Sequence, residues 1–356
     1  MKKSIVVFFC FIAIHATAQI GGNGIYQVLN VAPSARIAAM GGTYITPYDR
    51  DVNIGFQNPA MINRQMDRQL SINYLNYFTD INQGYFAYAR HFDSVGTFAA
   101  GIQYLNYGTF KGADIAGNST GTFTASDMAL QIGYGNNKKQ WRYGANMKVV
   151  YSQLETYKSL GVAFDIAGAY VSKDTLFTAT VVARNAGLQI MQYVPGNAEH
   201  LPFEVMIGVS QKLRHAPFRL SMVAHNLQKG DISYINPNAK NLQIDFATQK
   251  PIQEKVSTGD KIMRHLIFGV EAVFSKNFNI RFAYNHQRRK EMSLPDMRGF
   301  TGFSWGFSLK LLKMNVSYGN AGFFPKTGSH HFSLLIDTPT FFKRKKKAPS
   351  TTTPSI

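Results

Sequence analysis

A single cysteine stands in the chain, Cys10, and it lies inside an N-terminal apolar run. Beyond that run, disulfide frameworks, thiol nucleophiles and cysteine-bound metals are all excluded. Long apolar stretches are missing as well. The run from Ile5 to Ile14 falls well short of the roughly 20 residues that a spanning helix requires, and no later run approaches it. A helical membrane protein is thereby excluded. Acid is scarce: 20 Asp and Glu face 38 Lys and Arg, for a formal net charge of +18. No phosphate loop is present, the early glycines lack dinucleotide-binding spacing, and no His-Glu-x-x-His occurs. His330 and His331 are adjacent. On a strand they point to opposite sides and cannot chelate one metal together, so they read as girdle or lumen histidines. No catalytic, cofactor-binding or metal-binding residue is assigned.

What is present points outward from the cell. Met1-Lys2-Lys3, the apolar run and Ala16-Thr17-Ala18 have the form of a cleavable signal peptide over residues 1–18. An uncleaved anchor is the alternative. Export removes nucleic acid as the partner of a basic chain. Outer-membrane lipid and anionic lipopolysaccharide, or an acidic protein surface, suit the charge instead. Residues 339–356 carry the run Lys343-Arg344-Lys345-Lys346-Lys347 and then small polar residues and proline, which read as a basic, solvated tail on the periplasmic side.

Between these ends the chain alternates. Met128, Leu130, Ile132 and Tyr134 interleave with Ala129, Gln131 and Gly133. Phe278, Ile280, Phe282 and Tyr284 interleave with Asn279, Arg281 and Ala283. Side chains two apart share one face of a strand. One face is bulky and apolar, whereas the other is small or uncharged-polar. A water-facing sheet would favour Lys, Glu and Thr on that second face, but a crowded or hydrated barrel lumen favours Gly, Ala, Ser, Asn and Gln. With 27 Phe and 18 Tyr, the composition also suits aromatic girdles.

Such segments are expected at 69–78, 83–92, 95–107, 126–136, 140–153, 159–172, 174–185, 203–213, 216–226, 263–274, 278–287, 300–311, 313–319 and 328–337. Most have the length of a tilted transmembrane strand. The connections alternate between short (about Asp93-Ser94, Lys173, His215, Leu312) and mostly longer (79–82, 108–125, 154–158, 186–202, 227–262, 288–299, 320–327). Short periplasmic turns and longer extracellular loops produce that sorting. The reading is an all-β, transmembrane, antiparallel barrel of about 14 strands over residues 67–338. Asp165, Glu271, Arg142, Lys148, Arg281 and Lys310 fall on its inward faces and are expected to pair with one another or with the segment before the barrel.

That segment, residues 19–66, lacks long alternation. Its small residues and Asn-Pro turn suggest a compact irregular piece folded back as a plug, with a periplasmic extension as the alternative. Within it, Ser34-Ala35-Arg36-Ile37-Ala38-Ala39-Met40-Gly41-Gly42 followed by Asn58-Pro59-Ala60 resembles the N-terminal region of the type IX secretion system barrels of the PorV/PorQ group. Those barrels are similar in turn to FadL-like barrels with fourteen strands and an N-terminal plug. Phe98 to Gly108, Leu201-Pro202-Phe203-Glu204, His215 to Arg219 and His225-Asn226-Leu227-Gln228 resemble the PorQ-type members.

The resemblance implies a non-enzymatic outer-membrane component of the cargo attachment complex. It would anchor a PorZ-like surface protein beside a sortase and a PorV shuttle, and Ala35, Arg36, Gly41, Gly42, Asn58, Pro59 and Ala60 would be its plug motif. The long connection 227–262 carries Tyr234, Ile235, Leu242, Ile244 and Phe246 amid polar residues. Exposed apolar groups on such a loop suit partner binding, and a self-packed lid is the alternative. A FadL-like transporter of hydrophobic small molecules is the second reading. It predicts an apolar pocket beside the plug. A lipid-boundary enzyme with a Ser/His site is the third.

Overall fold

Period-two alternation gives each strand two unlike faces, and a wall with one greasy face has to close on itself in hydrocarbon, which cannot solvate a bare edge. The computed structural model, which describes residues 24–77, 80–233, 256–275, 277–293, 299–323 and 327–338, is such a wall: one closed antiparallel barrel of fourteen strands. They are β1 (Gln69–Asn76), β2 (Asn82–Phe92), β3 (Gly96–Ala113), β4 (Ser119–Lys138), β5 (Trp141–Leu154), β6 (Tyr157–Val171) and β7 (Phe177–Met191). There follow β8 (Glu204–Lys212), β9 (Phe218–Ala224), β10 (Leu266–Val273), β11 (Phe278–Asn285), β12 (Phe303–Leu311), β13 (Met314–Gly322) and β14 (Gly328–Asp337). Every strand pairs with its sequence neighbours, and β1 closes the ring against β14, from Gln69↔Asp337 to Asn76↔His330.

The bulky face points outward. Ile132 and Ile166 are 63% and 66% exposed, while Gln131 and Asp165 on the alternate positions are buried. Leu130, Phe164, Val181, Phe282 and Trp305 continue this exposed apolar exterior around the ring.

The sorting of connections needs correction. Segment 108–125 is not a long loop: β3 and β4 run on past their neighbours and turn only at 114–118. Connection 154–158 is a tight turn at 155–156, with Glu155 at positive φ. β7 continues to Met191. In each case strand pairing extends beyond the stretch whose alternation was strongest, because backbone pairing does not need an apolar face. The turns at the opposite end, 93–95, 139–140, 172–176, 213–217, 274–277 and 312–313, are uniformly short.

Residues 24–66 lie within the ring. They form a short helix, α1 (Ala35–Ala39), and 3-10 turns at Gln27–Asn30, Val52–Phe56, Pro59–Met61 and Arg64–Met66. Polar side chains start all of these but Gln27–Asn30: Ser34, Asp51, Asn58 and Asn63 each accept a hydrogen bond from a backbone N–H two or three residues on, satisfying donors that so short a helix leaves open. α1 packs on β11–β14, the Pro59–Met61 turn on β4–β6, and Val52–Phe56 on β1–β4. Small inward residues make this fit possible. A Cβ on Gly319 would lie 2.2 Å from the Ala35 carbonyl oxygen, and one on Gly144 2.3 Å from that of Pro59.

Candidate functional site

Arg36, on α1, reaches the wall and gathers the acids around it. Its Nε and Nη2 donate to Glu271 Oε1 and Oε2 at 3.1 and 2.9 Å. It also donates to Asp49 at 2.8 Å and to Asp51 at 3.4 Å. Glu271, on β10, additionally accepts from Arg219 at 2.9 Å and Arg281 at 2.7 Å. Three guanidiniums therefore converge on one buried carboxylate, which is the compensation a buried charge demands. Burial pushes the Asp49 carboxyl up, but Arg36 and Arg219 outweigh it and hold it at about 2.

Two further inward pairs support the wall. Lys148 and Asp165 lie 2.7 Å apart, both fully buried, and Asn185 accepts from the same ammonium at 3.0 Å. Arg184 pairs with Glu204 at 2.5 Å. Arg142 meets the segment before the barrel, as expected of an inward charge, by stacking on the Tyr48 ring at 3.5 Å. Lys310 departs from the expected pairing. It points inward at the short-turn end, but among the described residues no carboxylate lies within ion-pair distance of it.

The sequence motifs fall into this packing. Ala35 donates its N–H to Ser333 at 2.8 Å. Gly41 and Gly42 both hold positive φ, and a Cβ at Gly41 would meet Ile267 at 2.6 Å. Asn58 donates to the Ile45 carbonyl at 2.7 Å and to Thr180 at 2.9 Å, while its Oδ1 accepts from Ala60 N–H at 3.0 Å, with Pro59 between. All seven motif residues thus sit where the segment turns or touches the wall. Tyr234, Ile235, Leu242, Ile244 and Phe246 lie outside the described residues, as do residues 1–18 and 339–356.

Two cavities flank the segment. At the end carrying the longer connections, a cavity of about 320 Å3 is lined by Val31 and Ala32 of the segment, Leu75, Ile81 and Leu105 of the wall region, and Phe323. Its wall also holds His331, hydrogen-bonded to Ser329 at 2.9 Å, and Arg288. Arg288 donates to the Gly41 carbonyl at 3.0 Å and to Ser304 at 3.1 Å, and its guanidinium lies 4.3 Å from the Phe323 ring centroid. Burial pulls it down to about 10, so it stays charged at neutral pH. At the short-turn end, a polar vestibule of about 400 Å3 is lined by the Arg36 cluster and by Lys212, Asn279, Lys310 and Asn315.

Arg288 belongs to α3 (His286–Met292), which meets α2 (Thr258–Arg264) from a separate connection. Asp260 of α2 joins them, accepting from Arg264 at 2.8 Å and His286 at 2.9 Å, with Lys290 at 3.3 Å.

Sequence reasoning missed Asp49, Arg219, Arg288 and Asp260. Only Arg219 carried a signal, being an inward position on a short strand beside Glu271 in register. Asp49 lies on an irregular connection, and Arg288 and Asp260 lie on short helices in the connections, where period-two alternation says nothing about direction.

No family model matches the sequence, and no curated protein matches it. Among solved structures the chain is similar to the Pseudomonas putida toluene transporter TodX, at 10% identity over 86% of this chain and 96% of that one, with a TM-score of 0.48. It is also similar to a Pseudomonas aeruginosa FadL homologue, at 10% identity over 89% and 99%, TM-score 0.44, and to the KdgM porin, at 4% over 75% and 98%, TM-score 0.32. At such identities the likeness is one of fold and extends to no ligand or partner.

Proposed function

We propose that this chain is a non-enzymatic outer-membrane barrel that admits hydrophobic small molecules, with residues 24–66 acting as a plug. The apolar cavity between Val31 and Ala32 on one side and Leu75, Ile81 and Leu105 on the other carries this reading. A concave, mostly apolar site with a few polar groups is the form a small-molecule pocket takes. An apolar exterior fits the membrane, and the cavity lies toward the end with the longer connections, which in such barrels faces outside. The test is equilibrium binding of a neutral fluorescent aromatic amine to the purified protein in non-absorbing detergent. Saturable binding in wild type, lost in Ala32→Trp/Leu105→Trp, supports the reading. Binding unchanged by filling the cavity overturns it.

A second reading is the anchoring role in type IX secretion, holding a PorZ-like surface protein beside a sortase and a PorV shuttle. The motif residues Ala35, Arg36, Gly41, Gly42, Asn58, Pro59 and Ala60 favour it, because they pin the segment at several points instead of leaving it free to move. Co-purification of a large surface protein, abolished when connection 227–262 is shortened, supports the anchor. Its absence from the detergent-solubilised complex counts against it.

A further inference from the structure

The vestibule at the short-turn end has more cations than its acids can answer. Seven basic side chains line it against four carboxylates. The carboxylates are committed to arginines: Glu271 to Arg36, Arg219 and Arg281, Asp49 to Arg36 and Arg219, Asp51 to Arg36, and Asp337 to Arg50. Lys212 and Lys310 have no carboxylate within ion-pair distance among the described residues.

Register makes the surplus sharper. Lys212 stands directly opposite Arg219 on the inward faces of β8 and β9. Like charges at facing positions repel. Arg219 is answered by Glu271 at 2.9 Å and Asp49 at 3.4 Å, whereas among the described residues no carboxylate reaches Lys212. Lys310 stands opposite Asn315 at the same mouth. The Oδ1 atoms of Asn315 and Asn279 are buried in the vestibule wall without a donor. A buried acceptor without a partner costs free energy until a donor arrives.

We propose that this vestibule binds a phosphorylated polyol. The phosphate lies between Lys212, Arg219 and Lys310, and hydroxyls donate to the two asparagine oxygens. A phosphate oxygen relieves the facing Lys212 and Arg219, and charge-assisted hydrogen bonds from ammonium and guanidinium groups are the strong ones. The low-dielectric wall strengthens the attraction. The site lies at the opposite end of the segment from the apolar cavity and stands whether or not that cavity takes a ligand.

The same glycerol-phosphate chemistry comes free in solution or as a phosphatidylglycerol headgroup, and one experiment separates them. Purified full-length protein is titrated calorimetrically with glycerol 3-phosphate, and the lipid that survives purification is identified in parallel. Wild type is expected to bind. Lys212→Gln/Lys310→Gln is expected to weaken binding by about tenfold or more, and Lys212→Arg/Lys310→Arg to restore it. Asn315→Ala is expected to weaken glycerol 3-phosphate but not inorganic phosphate. Heat-modified gel mobility confirms that each variant keeps a closed barrel. Retained phosphatidylglycerol that the Gln double variant loses assigns the lipid source. Titration by the free compound with no retained lipid assigns the soluble one. Failure of both, or equal affinity in wild type and the Gln double variant, overturns the site.

Discussion

Arg36 and Glu271 stand 235 positions apart and meet through two hydrogen bonds that fasten the inner segment to the barrel wall. Removing one partner of such a buried arrangement strands the other charge and costs about 3–5 kcal/mol. Arg36→Ala is expected to lower the urea midpoint of the refolded protein and to open residues 24–66 to protease, with the barrel still heat-modifiable. A variant with native midpoint and native protease resistance would show that the segment is held elsewhere.

Gly319 and Gly144 admit the segment because they have no side chain. Gly319→Val should force the Ala35 carbonyl away from the wall and release α1, whereas outward-facing Gly168, where an added Cβ would meet nothing within 4 Å, should accept Ala without loss. Protease sensitivity of the inner segment distinguishes the two. Equal behaviour would remove the claim that lumen glycines exist to make room.

Ile132 lies mid-strand, paired with Ala100 and Met147, on the outward face. Ile132→Arg should destabilise the vesicle-embedded barrel by roughly 2–4 kcal/mol, while Ile132→Leu should be near neutral. Reversible unfolding in lipid vesicles measures both. An arginine tolerated here would mean that this face meets water or protein.

Asp260 ties α2 to α3. Burial pushes its carboxyl up, but hydrogen bonds from His286 and Arg264, with Lys290 nearby, hold it at about 2 against an ordinary 3.8. A depressed carboxyl contributes stability that is complete above its ordinary value and lost as pH falls toward the folded value. Pepsin should therefore leave the α2–α3 joint intact near pH 5 and cut it readily as pH drops from about 3.8 toward 2. Asp260→Asn should be cut at pH 5 already. A cleavage rate flat across this range in wild type would contradict the joint.

The barrel was legible in the residues because lipid imposes one rule on every strand. Bulky residues such as Leu130, Ile132 and Phe282 must alternate with small ones, so period two held over the greater part of the strands, apart from the register shifts between β3 and β4 and between β6 and β7, and faces could be assigned from the residue order. Strand ends were less legible. Thr109 to Ala113 and Ser119 to Thr124 are mostly small or polar and exposed, with Phe110 stacked on Phe123 as their cross-strand ring contact, so alternation does not mark a face there. The site was partly legible. Arg281 and Glu271 were placed inward by parity, whereas Asp49, Arg288 and Asp260 sit on turns and short helices whose direction depends on tertiary packing. Lys310 was assigned inward correctly, but that no described carboxylate reaches it could not be read, since parity fixes a face and not a neighbour.

The seam between β1 and β14 sets the timing of assembly. Gln69 to Asn76 can complete one flank against β2 as soon as that hairpin exists, but the other flank waits for Gly328 to Asp337, the last strand of the ring. Until then the first strand presents a row of unmatched N–H and C=O groups, a ready template for the wrong chain. Contacts between such distant stretches form slowly. A chain cut short before Gly328 would therefore be a polymerisation hazard in the periplasm instead of a smaller barrel, and the cell has reason to shield or destroy it.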